Sequence, residues 1–148
     1  MLTNTLVSLF ERDLKKLITE IELYENESNI WRIEKKILNS AGNLTLHLIG
    51  NLNTYIGKEI GKTNYVRNRD LEFLEKNVPR KDLITKIEDT IETIRLALSQ
   101  IADEELDSEY PILVFSKKTS TEFFLIHLTT HLAYHLGQIN YHRRLIES

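Results

Sequence analysis

The sequence contains no cysteine, and that single absence removes disulfide bonds, thiolate metal sites and a cysteine nucleophile together. Any thiol chemistry would have to be carried in by a small molecule. There is no run of about 18 apolar residues, the length needed to cross a membrane. The N-terminal stretch meets Glu11 too early for the apolar core of a secretory signal. These features lead to the expectation of a cytoplasmic protein. Neither sign of charge dominates: 19 Lys and Arg are interspersed with 22 Asp and Glu, for a net charge of −3. Bulk electrostatics therefore gives no reason to expect nucleic acid or a membrane surface as a partner. A glycine-rich phosphate loop is missing as well, since Gly57 and Gly61 follow a helical pattern rather than a strand.

What is present is helical periodicity. At 148 residues with 41% hydrophobic composition, the chain fits one domain spanning residues 1–148. Residues 2–24 place Leu2, Leu6, Leu9, Phe10, Leu14, Leu17, Ile21 and Tyr24 on one helical side. Residues 25–39, with an isolated Trp31, read as a long connection, and Trp31 is expected at one end of the core. Ser40 is a candidate N-cap for a second helix, with Leu44, Leu48, Leu52, Tyr55 and Ile56 on its apolar side and Gly57 as its stop. A short helical piece is expected around residues 70–76. After Pro79, Ile84, Ile87, Ile91, Ile94, Leu98 and Ile101 alternate at steps of three and four, the strongest helical period in the chain. A second crossover occupies residues 103–118, and Thr119-Ser120-Thr121-Glu122 has the capping-box pattern that starts a last helix running to about Ile146. Four long apolar-striped helices without a set of alternating strands predict an all-α four-helix bundle with long crossover connections.

Four of the five histidines fall on the last helix: His127, His131, His135 and His142. At a helical turn of 100° per residue they lie at roughly 0°, 40°, 80° and 60°, with Gln138 at roughly 20°. They share one face, bordering the apolar surface of Leu128, Leu132, Leu136 and Ile139. A pair at i and i+4 can bring two imidazoles to one ion, and a third ligand must then come from another helix. His47 is the one histidine elsewhere, flanked a turn away by Asn43 and Asn51. Three imidazoles on one ion leave a position open, the arrangement of catalytic rather than closed structural sites. Spacing alone leaves hydrogen-bonded core histidines as the competing reading, and it does not choose between the pairs His127/His131 and His131/His135.

The blocks SAGNLTLHLIGNLNTYI (40–56), RNRDLEF (67–73) and HLTTHLAYHLGQINYHRRL (127–145) resemble the DinB-like, or YfiT-like, superfamily of metal-binding four-helix bundles. The resemblance extends over nearly the whole chain. It implies a metal set of His47, His131 and His135, with His127 as a pocket residue or a support behind the ligands. From their positions alone, Asn43 and Asn51 could line the pocket or be solvated, and Gln138 could orient a ligand or water or make a helix–helix hydrogen bond. The resemblance also implies one divalent ion, zinc or nickel, and a homodimer. The activity implied is a small-molecule thiol transferase or a hydrolase, in which the ion lowers the pKa of water or of an exogenous low-molecular-weight thiol. The alternatives are a non-catalytic metal- or ligand-binding, stress-related bundle, and a structural dimer with no ion.

Other residues receive plainer expectations. Arg67 and Arg69 could hold an anionic group, although surface ion pairs with Asp70 or Glu72 are the simpler reading. Tyr134 and Tyr141 are read as packing residues. His127, His131 and His135 are followed by Leu128, Leu132 and Leu136 rather than Glu, so there is no HExxH protease motif, and a Glu-xxx-His pattern for a di-iron bundle is missing. No general base is assigned.

Overall fold

A computed structural model describes all residues 1–148, and it is an all-α bundle. Its helices are α1 (Leu2–Leu23), α2 (Ala41–Leu52), α3 (Arg69–Leu74), α4 (Arg80–Ser99) and α5 (Thr121–Ile146). α2 runs on into a π-helical segment, Asn53–Lys58, and short 3-10 turns occupy Glu27–Trp31 and Asp103–Asp107. The four long helices form the bundle: α1 packs on α4 and α5, while α2 packs on α4 and α5 and carries α3 on its outer side. No helix is long and apolar enough to cross a membrane.

The apolar stripes meet in one cluster in which Leu14, Leu17 and Ile21 of α1, Leu48 and Leu52 of α2, Leu83 and Ile87 of α4, and Leu125 and Ile139 of α5 are sealed from solvent. Burial of such side chains is worth about 1.5–3 kcal/mol each and supplies most of the drive for the bundle. On α4 the buried line is Leu83, Ile87, Thr90, Ile94 and Ala97, so Ile84 and Ile91 sit at its margin instead of its centre.

The ends of the helices are held by specific polar contacts. Ser40 caps α2 by accepting from the Asn43 N–H at 3.1 Å. Ser120 caps α5 by accepting from the Phe123 N–H, so the cap lies one residue beyond Thr119 and the reciprocal glutamate of a capping box does not form. Asp103, just after α4, accepts from the backbone N–H groups of Leu2 and Thr3 and from the Thr3 hydroxyl, which closes the unsatisfied start of α1.

Two expectations for the helices are corrected. Gly57 does not stop the second helix, which continues through it to Lys58. Its value is close approach: a Cβ there would lie 2.9 Å from Thr93 Cγ2 on α4. The chain turns away at Lys62, whose φ of 57° lies in the left-handed region. Tyr134 and Tyr141 do not pack in the core; both are about two-thirds exposed on the outer side of α5.

Candidate metal centre

α2 is buried at every position from Ala41 to Leu52, because α4 and α5 cover its inner sides and α3 covers its outer side. His47 therefore lies inside the bundle, 7% exposed. Its Nε2 points to α5, where it comes within 3.3 Å of His131 Nε2. His135, one turn further along α5, places its own Nε2 3.2 Å from that same atom. The ligand atoms of the three residues lie within 4.8 Å of one another, a group that could hold a metal ion. The three rings are steeply inclined to one another, at 72°, 87° and 86°, so their edges rather than their faces converge.

The protons on these rings are fixed from behind. His47 Nδ1 lies 3.0 Å from Glu72 Oε1, and a carboxylate oxygen can only accept there, so Nδ1 carries the hydrogen and Nε2 presents its lone pair. His135 Nδ1 lies 2.7 Å from Gln138 Oε1, which fixes the same tautomer as assigned. Two lone pairs thus converge on His131 Nε2, which has at most one hydrogen to give. His131 Nδ1 is buried without any partner.

Charge does not relieve this arrangement. Burial, helped by the neighbouring His135, His47 and His127, lowers the His131 pKa from 6.5 to about 4. Burial also lowers the His47 pKa, against the opposing pull of the Glu72 hydrogen bond. Neutral imidazoles with converging lone pairs are the form a cation requires. Tetrahedral ligation at zinc-like distances would separate neighbouring nitrogens by about 3.3 Å. Two of the three separations, 3.3 and 3.2 Å, match it, and all three lie within 4.8 Å.

Glu72 is presented by the six-residue α3 and is buried. Arg67 grips it in bidentate fashion, Nε to Oε2 at 2.8 Å and Nη2 to Oε1 at 3.0 Å. Burial works against the Arg67 charge, but the hydrogen bonds and proximity of Glu72 outweigh it and raise the Arg67 pKa. The pair is therefore a buried strut behind His47 and not the surface ion pair expected from the sequence. Gly50, three residues after His47, makes room for it: a Cβ there would fall 1.9 Å from Glu72 Oε2. Sequence reasoning did not connect Glu72 with His47. The available signal was this glycine within a buried helix, one turn from the histidine and facing a segment rich in charge.

The remaining expected residues divide by position. Gln138 stands behind His135, as described. Asn51 is buried at the floor of a cleft of about 280 Å³ that opens beside His47 and His131. His127 lines that cleft too, its ring 4.8 Å from Phe115 and 5.9 Å from Phe124, and it is outside the converging group. Asn43 lies away from the cleft, with its amide donating to the backbone carbonyls of Glu72 and Glu75 at 2.9 and 2.8 Å. It thereby clamps α3 onto α2. His142 is separate again: its Nε2 donates to the Arg32 carbonyl at 2.8 Å and its Nδ1 accepts from the Tyr24 hydroxyl at 2.6 Å. Both nitrogens are satisfied in the core.

Fold and site together define an all-α bundle with a three-histidine group able to hold a metal ion. The family model described as a protein of unknown function (DUF1572) matches residues 3–148, and the chain belongs to that family. No curated protein matches the chain.

Proposed function

We propose that His47, His131 and His135 hold one divalent ion, zinc or nickel, in a metal-dependent small-molecule thiol transferase or hydrolase of the DinB/YfiT-like kind. The observation that carries this reading is the convergence of the lone pairs of His47 Nε2 and His135 Nε2 on His131 Nε2. A bound ion would supply Lewis acidity, making a water or thiol nucleophilic near neutral pH. The protein's own residues orient and exclude. Glu72 and Gln138 hold the rings of His47 and His135 in the ligating tautomer. Arg67 holds Glu72, and Phe73, with its ring 5.1 Å from that of His47, shields the ligand from water. The cleft beside His47 and His131 gives a substrate access to the side of the group not closed by protein. Because the sequence has no cysteine, a reacting thiol comes from the substrate side.

Elemental analysis of untagged protein tests the reading. About one ion per chain is expected in the parent and none in a His47→Ala/His131→Ala double variant; a parent that neither holds nor takes up zinc or nickel refutes it. Incubating loaded protein with low-molecular-weight thiols and a panel of electrophiles then separates the transferase from a non-catalytic metal-binding bundle. The proposal includes a homodimer, supported by Phe123, Ile126, Tyr134, Tyr141 and Leu145, which face solvent along one side of α5. Sedimentation should give twice the 17.4 kDa chain mass.

A further inference from the structure

The cleft beside the histidine group differs in charge from the protein that contains it. The chain as a whole is acidic, at −3. Yet the ten residues lining this cleft include Arg67 and Arg69 and no Asp or Glu. Arg67 is committed to Glu72. Arg69, two residues on at the start of α3, makes no ion pair or hydrogen bond and is free to reach a ligand.

A second feature inside the cleft is unsatisfied. Asn51 is 7% exposed, and its Oδ1 is sealed from solvent with no hydrogen-bond partner. An unmade hydrogen bond at a buried group costs about 1–3 kcal/mol, so the amide is not held in place by a partner of its own. An amide can offer either an acceptor or a donor by turning over. The rest of the lining includes the half-buried Val114 and His127, with Phe124 and Leu128 sealed behind them and the His127 ring 5.9 Å from that of Phe124. At about 280 Å³ the space lies just below the range of drug-sized pockets, so it suits a small molecule.

We infer that this cleft selects a small molecule with a carboxylate or phosphate group. The oxyanion pairs with Arg69, a polar group meets the Asn51 amide, and the half-buried Val114 and His127 line the remainder. The guanidinium fork matches either oxyanion in bidentate fashion, which makes Arg69 a specificity-determining residue. The inference deepens the proposed function and rests on its reading of this cleft as the substrate side of the site.

Calorimetric titration of the zinc-loaded full chain with benzoate, phenyl phosphate and neutral benzamide tests it. Both anions are expected to bind, with benzamide at least about tenfold weaker, and the better anion identifies the preferred oxyanion. Arg69→Gln should weaken the anions by roughly tenfold while leaving zinc stoichiometry and melting temperature unchanged, since Arg69 has no structural partner to lose. Lys36→Gln, in the separate groove beside His135, should leave the affinity at its parental value. The same titrations on metal-free protein separate this inference from the metal reading: an Arg69-dependent preference for anions there sustains it even if zinc is never taken up. Equal binding of benzoate and benzamide, parental affinity in Arg69→Gln, dependence on Lys36 instead, or no anion binding at millimolar concentration would each overturn it.

Discussion

Glu72 Oε1 stands 3.0 Å from His47 Nδ1, so a carboxylate on a six-residue helix determines which nitrogen of a buried imidazole faces the other two histidines. Outer hydrogen bonds of this kind typically change metal affinity by 10- to 100-fold. Glu72→Gln keeps the shape and removes the charge, and it should weaken zinc binding by about that factor in competition with a chromophoric chelator. Gly50→Ala should act in the same direction by driving Glu72 out of its place, with no change at any ligand. Parental zinc affinity in both variants would show that the strut behind His47 has no influence on the site.

Zinc should stabilise the folded protein by mass action. Binding at a thousand times the dissociation constant is worth about 4 kcal/mol. The thermal midpoint of the parent is expected to rise with zinc concentration and to fall back with a chelator. His131→Ala removes the ligand toward which both neighbours converge, and its midpoint should not respond to zinc. A zinc-dependent midpoint in that variant would place binding elsewhere on the chain.

Acid should destabilise the metal-free protein well above the range where carboxylates titrate. Burial lowers the pKa of His131 to about 4, and it also lowers those of His47 and His142. The folded state keeps these rings neutral, whereas the unfolded chain protonates them near 6.5. Their contribution is thus complete above 6.5 and is lost as pH falls from there toward about 4, because the unfolded state takes up protons the folded state refuses. Urea midpoints measured at pH 7.5, 6 and 5 should decline in that order. A midpoint flat across this window would contradict the assignment.

His142 should matter to stability and not to metal. Its two hydrogen bonds tie α5 to Tyr24 at the end of α1 and to the Arg32 carbonyl in the following connection. His142→Ala removes the shorter of the Tyr24 hydroxyl's two contacts, leaving the Ile139 carbonyl at 3.5 Å, together with the donor to the Arg32 carbonyl, and should cost about 1–3 kcal/mol. Its denaturation midpoint should drop while its zinc stoichiometry stays at that of the parent. Loss of zinc by folded His142→Ala protein would show that the two histidine environments are coupled.

Much of this architecture could be read from periodicity. The bounds of α5 and the cap at Ser40 follow from local patterns, since capping and apolar spacing are properties of a few neighbouring residues, whereas the α5 cap falls on Ser120, one residue past the Thr119 of the capping-box pattern. Angular position also put the α5 histidines on one face. It did not separate their roles, because a wheel angle says nothing about what stands opposite: His142 meets Tyr24, His127 meets Phe115, and His131 meets His47. Gly57 misled because a glycine that admits a neighbouring helix looks the same in sequence as one that ends its own. The Arg67–Glu72 strut was hidden for a related reason. Charged residues in a glycine-bearing connection read as solvated until the tertiary fold brings α3 over Gly50.

Residues 47 and 131 are 84 positions apart, and the facing of their Nε2 atoms has a topological consequence. An ion ligated by both would tie the middle of the chain to its last helix, as a disulfide does in proteins that have cysteine. By the chain-entropy model for cross-links, closing a loop of this length removes about 4.5 kcal/mol of freedom from the unfolded chain. In a sequence without a single thiol, three imidazoles would then serve as the molecule's removable staple, opened by a chelator instead of a reductant.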